Sequence, residues 1–421
     1  MLLKKKSKNI LEFDMKKTVL KNYAKLIATM GINVRKDQDV IITAELDQPE
    51  FVYMVAEECY KAGARKVSVE FDYQPLTKLA VKYQSGETLA KTEKWQKAKL
   101  QHQVDTLPAR IYLISEDPDG LDGIDQEKFG MAMRTKRSVI KPYRDKMDNK
   151  YQWCIAAVPG AGWAKKLFPG VRTSVAVEKL WEAILTASRA MDDPIRAWKQ
   201  HNEELAKRCD YLNSLGIESL EYKSSNGTDF RVGLMPESKF AGGGEYTLGG
   251  DYYNPNIPSE EVFTSPDKNT AEGIVYSSKP LSYNGQLIEN FSIRFEKGKA
   301  VEVKAEKNEE LLREMISMDK GAAYLGECAL IAYDSPINNL GITFCNTLFD
   351  ENASCHLALG RGFMECIKDY DKYTMEQCYE MGLNDSIMHE DFMIGSKDLC
   401  IDAYTRDGKK VRIFENGNWA F

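Results

Sequence analysis

Two of the chain's four histidines, His356 and His389, stand among carboxylates in its later part, with Glu261 and Glu327 ahead of them and Asp391 two residues after His389. Together, Glu261, Glu327, His356, His389 and Asp391 offer mixed imidazole and carboxylate ligation, which suits zinc, manganese or cobalt. With 63 acidic residues in the chain, a histidine falls near a carboxylate often by chance, so the spacing has to add something. It does if 389–394 is a strand, as Phe392-Met393-Ile394 indicates. Residues two apart then share a face, so His389 and Asp391 converge while Glu390 points away.

Other chemistries fit the residues less well. Cys355 adjoins His356, but a thiol nucleophile and its base are normally brought together by the fold, not by adjacency. The nine cysteines contain no Cys-x-x-Cys pair, which reads as reduced thiols and neither a disulfide framework nor a zinc ribbon. Gly160-Ala161-Gly162 lacks the Gly-x-Gly-x-x-Gly spacing, and Gly242-Gly243-Gly244 lacks the lysine and hydroxyl of a phosphate-binding loop. Both read as turns or flexible loops, and no nucleotide cofactor is indicated. Trp153, Trp163, Trp181 and Trp198 are expected in the core or at a domain interface. His102 is expected in solvent, and His201, on a charged helix, has no expected site role.

The elements that must position the five side chains come in two textures. In the first half, helix and strand patterns alternate. Asp14 can cap a helix carrying Val19, Leu20, Tyr23, Leu26, Ile27 and Met30 at helical spacing. Strands are expected at 40–43, 67–71, 111–114 and 153–158, and a helix at 51–62 between Pro49 and Gly63. Alternation of this kind predicts an α/β domain with a mixed or parallel sheet. Two helices, 173–191 and 194–215, follow around Asp192-Asp193-Pro194. Short β-rich runs then appear with Asn226-Gly227, Asn284-Gly285 and Lys297-Gly298 between them, a hairpin signal. This predicts an α+β domain with a mainly antiparallel sheet or barrel, with helices at 309–318 and 374–381. The expected division is 1–215 and 216–421.

A chain of 421 residues with 43% hydrophobic content can bury a large core in two or three domains. Its net charge of −6, from 57 basic and 63 acidic residues, does not point to a nucleic-acid partner. No apolar tract is long enough for a membrane span. The basic start, Met1-Leu2-Leu3-Lys4-Lys5-Lys6, is followed by no apolar signal core. A cytoplasmic protein is expected.

Several longer runs carry a family resemblance: Glu260-Glu261-Val262-Phe263-Thr264-Ser265-Pro266, Lys279-Pro280-Leu281-Ser282-Tyr283-Asn284-Gly285, and Tyr324-Leu325-Gly326-Glu327. They continue with Asn346-Thr347-Leu348-Phe349-Asp350-Glu351-Asn352-Ala353-Ser354-Cys355-His356-Leu357-Ala358-Leu359-Gly360 and His389-Glu390-Asp391-Phe392-Met393-Ile394-Gly395. In this order they resemble the thermophilic metalloaminopeptidase family, the aminopeptidase T and aminopeptidase S type. The resemblance implies a homodimeric exopeptidase that takes peptide substrates with a free N-terminus and uses two divalent metal ions (zinc, cobalt or manganese). Its metal ligands fall on Glu261, Glu327, His356, His389 and Asp391. Glu327 is the choice for bridging carboxylate and for the general base that takes a proton from the attacking water.

One position departs from the family pattern. Where the family has a tyrosine, this chain has Phe363, and a phenyl ring donates no hydrogen bond to an oxyanion. Loss of one such donor costs about 10² to 10³ in rate. Tyr370, Tyr373 and Arg361 are the nearby candidates to replace it, although an arginine there is expected to be exposed. Asp350 or Glu351 could orient an imidazole from behind. The alternatives are a metal-binding homologue with lost or altered hydrolytic activity, supported by Phe363 alone, or a hydrolase of another amide substrate, since fold and metals do not fix what is cut.

Overall fold

The computed structural model describes residues 17–284 and 286–421; the cap expected at Asp14 and Gly285 of the expected Asn284-Gly285 turn lie outside them. In the first half, Asp39–Glu45, Lys66–Asp72, Ala109–Ile114 and Trp153–Ala157 form a parallel sheet in which Asp39–Glu45 lies between Lys66–Asp72 and Ala109–Ile114. The helix Pro49–Ala62 has proline in its first turn, and Gly63, at φ 114°, caps it by donating to the carbonyls of Cys59 and Tyr60. It buries Phe51, Val52, Val55 and Cys59, a stripe at helical spacing. The helices Gln74–Tyr83, Lys94–Thr106 and Gln126–Met147 are absent from the sequence expectation. The last two explain why: one buries only Gln103, the other carries Pro142 inside it, and neither displays a continuous apolar stripe.

The second half is built from antiparallel strands, as expected. A nine-stranded sheet includes Ile217–Lys223, Asp229–Gly233 and the long hairpin Gln286–Glu296/Lys299–Lys307. Lys297 (φ 50°) and Gly298 (φ 83°) form its turn, both in the left-handed region that a tight two-residue hairpin requires. A five-stranded sheet runs in the spatial order His389–Met393, His356–Gly360, Leu325–Leu330, Val262–Thr264, Ala241–Gly242. It carries the candidate site.

Two large apolar cores result, and the division expected at 215/216 is crossed in both directions. Asn256–Ile257 pairs with Trp153–Ala157 as the fifth strand of the parallel sheet, and Ile337, Phe344, Leu348 and Phe349 pack into the first core. Leu205, Cys209 and Leu212, on the helix Pro194–Ser214, belong to the second. Among the described residues, no helix is long and apolar enough to cross a membrane.

Candidate metal centre

Register brings the five candidate ligands to one face. Within the five-stranded sheet, Ala358 lies between Asp391 on one neighbouring strand and Glu327 on the other, with His389 opposite Gly360. Alternation puts His356, Ala358 and Gly360 on one side of their strand, so the small residues leave room where the larger ones converge. Glu261 immediately precedes the strand Val262–Thr264, in which Phe263 pairs with Ala329, itself opposite His356. Glu390 alternates to the other face, as the sequence predicts.

Glu327 reaches this face through a bulge. Leu325 pairs with Leu359, but Glu327 pairs with Ala358, so Gly326 is an extra residue in the ladder. In an unbroken ladder Gly326 would stand opposite Ala358, and Glu327 would point to the other side. Only glycine fits at the bulge. A Cβ there would lie 2.2 Å from the carbonyl oxygen of Arg361 and 2.6 Å from that of Gly360. We expect Gly326→Ala to destabilise the fold by about 1–3 kcal/mol, measured by denaturant unfolding, and to weaken metal binding by displacing Glu327. Wild-type stability in that variant would contradict the packing described.

The imidazoles are held from behind. Nδ1 of His356 lies 2.8 Å from the Glu351 carbonyl oxygen, and Nδ1 of His389 lies 2.7 Å from that of Arg361. A carbonyl only accepts, so each Nδ1 carries the hydrogen and each Nε2 faces the carboxylates with a free lone pair when the ring is neutral. His356 Nε2 is 3.5 Å from Glu261, 3.6 Å from Asp391 and 3.7 Å from Glu327; His389 Nε2 is 3.1 Å from Glu327 and 3.3 Å from Asp391. The donor atoms fall into two groups, Glu261–Glu327–His356 and Glu327–His389–Asp391, each spanning no more than 4.8 Å. The two groups share Glu327. This donor set fits divalent metal.

The electrostatics are those of a site short of positive charge. Burial and the neighbouring Glu327 push Glu261 up to about 8. Burial, then Asp391, raises Glu351 well above the usual carboxylate range. Burial alone would lower His356, but Glu327, Asp391 and Glu261 outweigh it and bring the imidazole to about 9. His389 also rises well above its ordinary value, because Asp391 and Glu327 overcome its burial. Burial opposes ionisation of Asp391, yet the two imidazoles hold it below the usual range. Positive charge is therefore favoured among these carboxylates.

Above the cluster lies a cleft of about 500 Å³ walled by both halves of the chain. Among the described residues, eight carboxylates line it, Glu116, Asp117, Glu245, Glu261, Glu327, Glu351, Glu365 and Asp391, and no lysine or arginine does. Glu116, Asp117, Glu245 and Glu365 escaped the sequence reading, since no local pattern distinguishes them from solvated acids. Trp153 also lines the cleft, whereas Trp163, Trp181 and Trp198 are core residues.

The other sequence candidates separate cleanly. Phe363 lines the cleft, with its ring 4.7 Å from that of His389 and edge-on to Phe263. Tyr370 and Tyr373 pack instead around Met235, Ile367, Cys378 and Leu383, so neither stands in for the missing phenol. Arg361 is not exposed as expected: it is buried, and its guanidinium engages Asp145 and Asp148. Asp350 accepts from the backbone N–H groups of Phe344 and Asn346, bracing that loop and not an imidazole. Glu351 does orient His356, through its carbonyl and not its carboxylate. Cys355 points into the core, where its thiol donates to the Ile331 carbonyl and burial pushes it up to about 12, which removes it as a nucleophile. His102 is exposed. His201 is buried beside Ser259 and Glu260, and Glu260 is paired with Arg189, so these residues anchor the segment leading into Glu261. Gly160 and Gly162 are close-packed against Ser115 and Asp117 and do not form a flexible loop.

Two imidazoles and three carboxylates gathered on the face of an antiparallel sheet, below a cleft open to substrate, define a metal-dependent hydrolase. Comparison with known proteins makes this specific. The model of the thermophilic metalloprotease (M29) family matches residues 16–419. Aminopeptidase AmpS of Bacillus subtilis is 40% identical over 404 residues, covering 96% of this chain and 98% of its own, and Aminopeptidase T of Thermus thermophilus is 38% identical over 408 residues, covering 96% and 99%. The solved structure of wild-type AmpT from Thermus thermophilus superimposes with a TM-score of 0.87 at 37% identity over 96% of this chain and all of that one. The chain belongs to the thermophilic metalloprotease (M29) family.

Proposed function

We propose that this protein is a dinuclear aminopeptidase that releases N-terminal residues from peptides, acting in the cytoplasm and, as the family resemblance implies, as a homodimer. The observation that carries the reading is the pair of ligand groups sharing Glu327, Glu261–Glu327–His356 and Glu327–His389–Asp391. Two divalent ions held there, zinc, cobalt or manganese, would polarise the scissile carbonyl and lower the pKa of a water. Glu327 takes the proton from the attacking water and returns it to the leaving amine. Carboxylates lining the cleft hold the substrate's α-ammonium, which restricts cleavage to the first residue. The deep burial of Glu327 and His356 keeps bulk water from screening these charges.

The test is release of amino acids from a peptide panel by metal-stripped protein, with zinc, cobalt or manganese added back and N-acetylated peptides as controls. Activity should appear only with metal and only on free N-termini. Cleavage of the acetylated peptides would overturn the aminopeptidase reading, and full activity after stripping would overturn the metal. Because both imidazoles are raised, His356 to about 9, protons compete with metal at Nε2. Zinc affinity should therefore fall as pH drops from about 8 to 6, as read by chelator competition.

A further inference from the structure

The helix Gln126–Met147 lies in the first half of the chain, yet its C-terminal end is tied to the residue that holds His389 in place. Nη2 of Arg361 donates to Asp148 at 2.7 Å, and Nη1 donates to Asp145 at 3.2 Å. The backbone of the same arginine faces the candidate centre. Its carbonyl accepts from Nδ1 of His389 at 2.7 Å, and its N–H donates to the Met388 carbonyl at 2.7 Å.

Arg361 is 7% exposed and is absent from the cleft lining. A guanidinium buried this far stays charged, so its two carboxylates hold it firmly in one place. The direction of an imidazole lone pair is set by the hydrogen bond at its other nitrogen. A displacement of the Arg361 carbonyl is therefore a rotation of His389. The acceptor of His356, the Glu351 carbonyl, is held differently, on a helix whose Leu348 and Phe349 reach the first core through apolar packing and not through an ion pair.

We infer that Arg361 is a positioning residue which, anchored by Asp145 and Asp148 of the first half, fixes His389 for metal binding. The inference rests on the metal reading above. It assigns an ion-pair contact between the two halves a role through the Nδ1 hydrogen bond of His389 and none through that of His356. Loss of an outer partner of a metal-bound histidine costs about 10–100-fold in affinity, and that is the effect expected here.

The experiment uses the full chain and measures zinc affinity by chelator competition, beside kcat and KM. Asp145 and Asp148 are partly exposed, with side-chain exposures of 27% and 31%, and Asp148→Asn leaves Asp145 to pair the guanidinium, so this variant keeps the fold; the pair Asp145→Asn/Asp148→Asn leaves a buried charge unpaired and is less stable, and thermal unfolding fixes a temperature at which both are folded. Each should weaken one of two bound zinc ions about 10–100-fold and lower kcat more than it changes KM. Arg361→Lys, which retains one of the two contacts, should fall between these variants and wild type. In a His389→Ala background Asp148→Asn should cost nothing further, and in a His356→Ala background it should keep its full effect. Wild-type zinc binding by Asp148→Asn, or an equal loss in both backgrounds, overturns the inference and leaves the metal reading intact. Wild-type protein that binds no zinc overturns both.

Discussion

Glu327→Gln should reduce peptide hydrolysis by about 10³-fold or more, within the range expected when a general acid–base group is lost, and should also lower metal content. The amide matches the carboxylate in shape but cannot take a proton, and it carries no charge to offset the ions. Glu327 is 4% exposed and is the one residue common to both ligand groups, with its oxygens 3.7 Å from His356 Nε2 and 3.1 Å from His389 Nε2. Among the described residues, no other carboxylate is placed to serve both imidazoles in this way except Asp391, whose same oxygen faces the two rings at 3.6 and 3.3 Å. The measurements are kcat on a free peptide and metal content of the purified variant. Two bound ions and activity within about tenfold of wild type would remove Glu327 from the reaction. Asp391 would then be the base to test.

Phe363→Tyr should raise kcat by about 10–10²-fold, the converse of losing one oxyanion donor. The ring already lies in the cleft against His389 and Phe263, so the added hydroxyl enters the polar space above the centre. It buries no unpaired group, and the melting temperature should stay within a few degrees. The nearest phenols of the following segment, Tyr370 and Tyr373, are packed elsewhere. Any donor that now serves must come from the cleft itself, where Gln74, Trp153, Asn256, Ser282, Asn346 and Thr347 are neutral candidates. An unchanged kcat would show that one of these already does the work of the phenol.

What was legible along the chain was whatever depends on near neighbours. Pro49 and Gly63 bracket their helix because capping acts within a turn, and Lys297-Gly298 makes a hairpin because its backbone conformation is a property of the two residues. His389 and Asp391 share a face because a strand alternates with period two. Helix Lys94–Thr106 was not legible, since it buries little and shows no stripe. Nor was the recruitment of Asn256–Ile257 into the parallel sheet, a pairing about a hundred residues distant from its partner.

The residue types, their order and the local strand periodicity are therefore properties of this sequence alone, and they name the five candidate ligands. Their convergence is not local. Glu327 points into the site only because Gly326 bulges out of register, and that bulge forms only where the backbone of Arg361 and Gly360 packs against it. The acidic cleft likewise exists only once Glu116 and Asp117 of one half face Glu245 and Glu365 of the other. Side-chain direction and charge density at this site are set by contacts between distant segments, and no window along the chain contains both partners of such a contact.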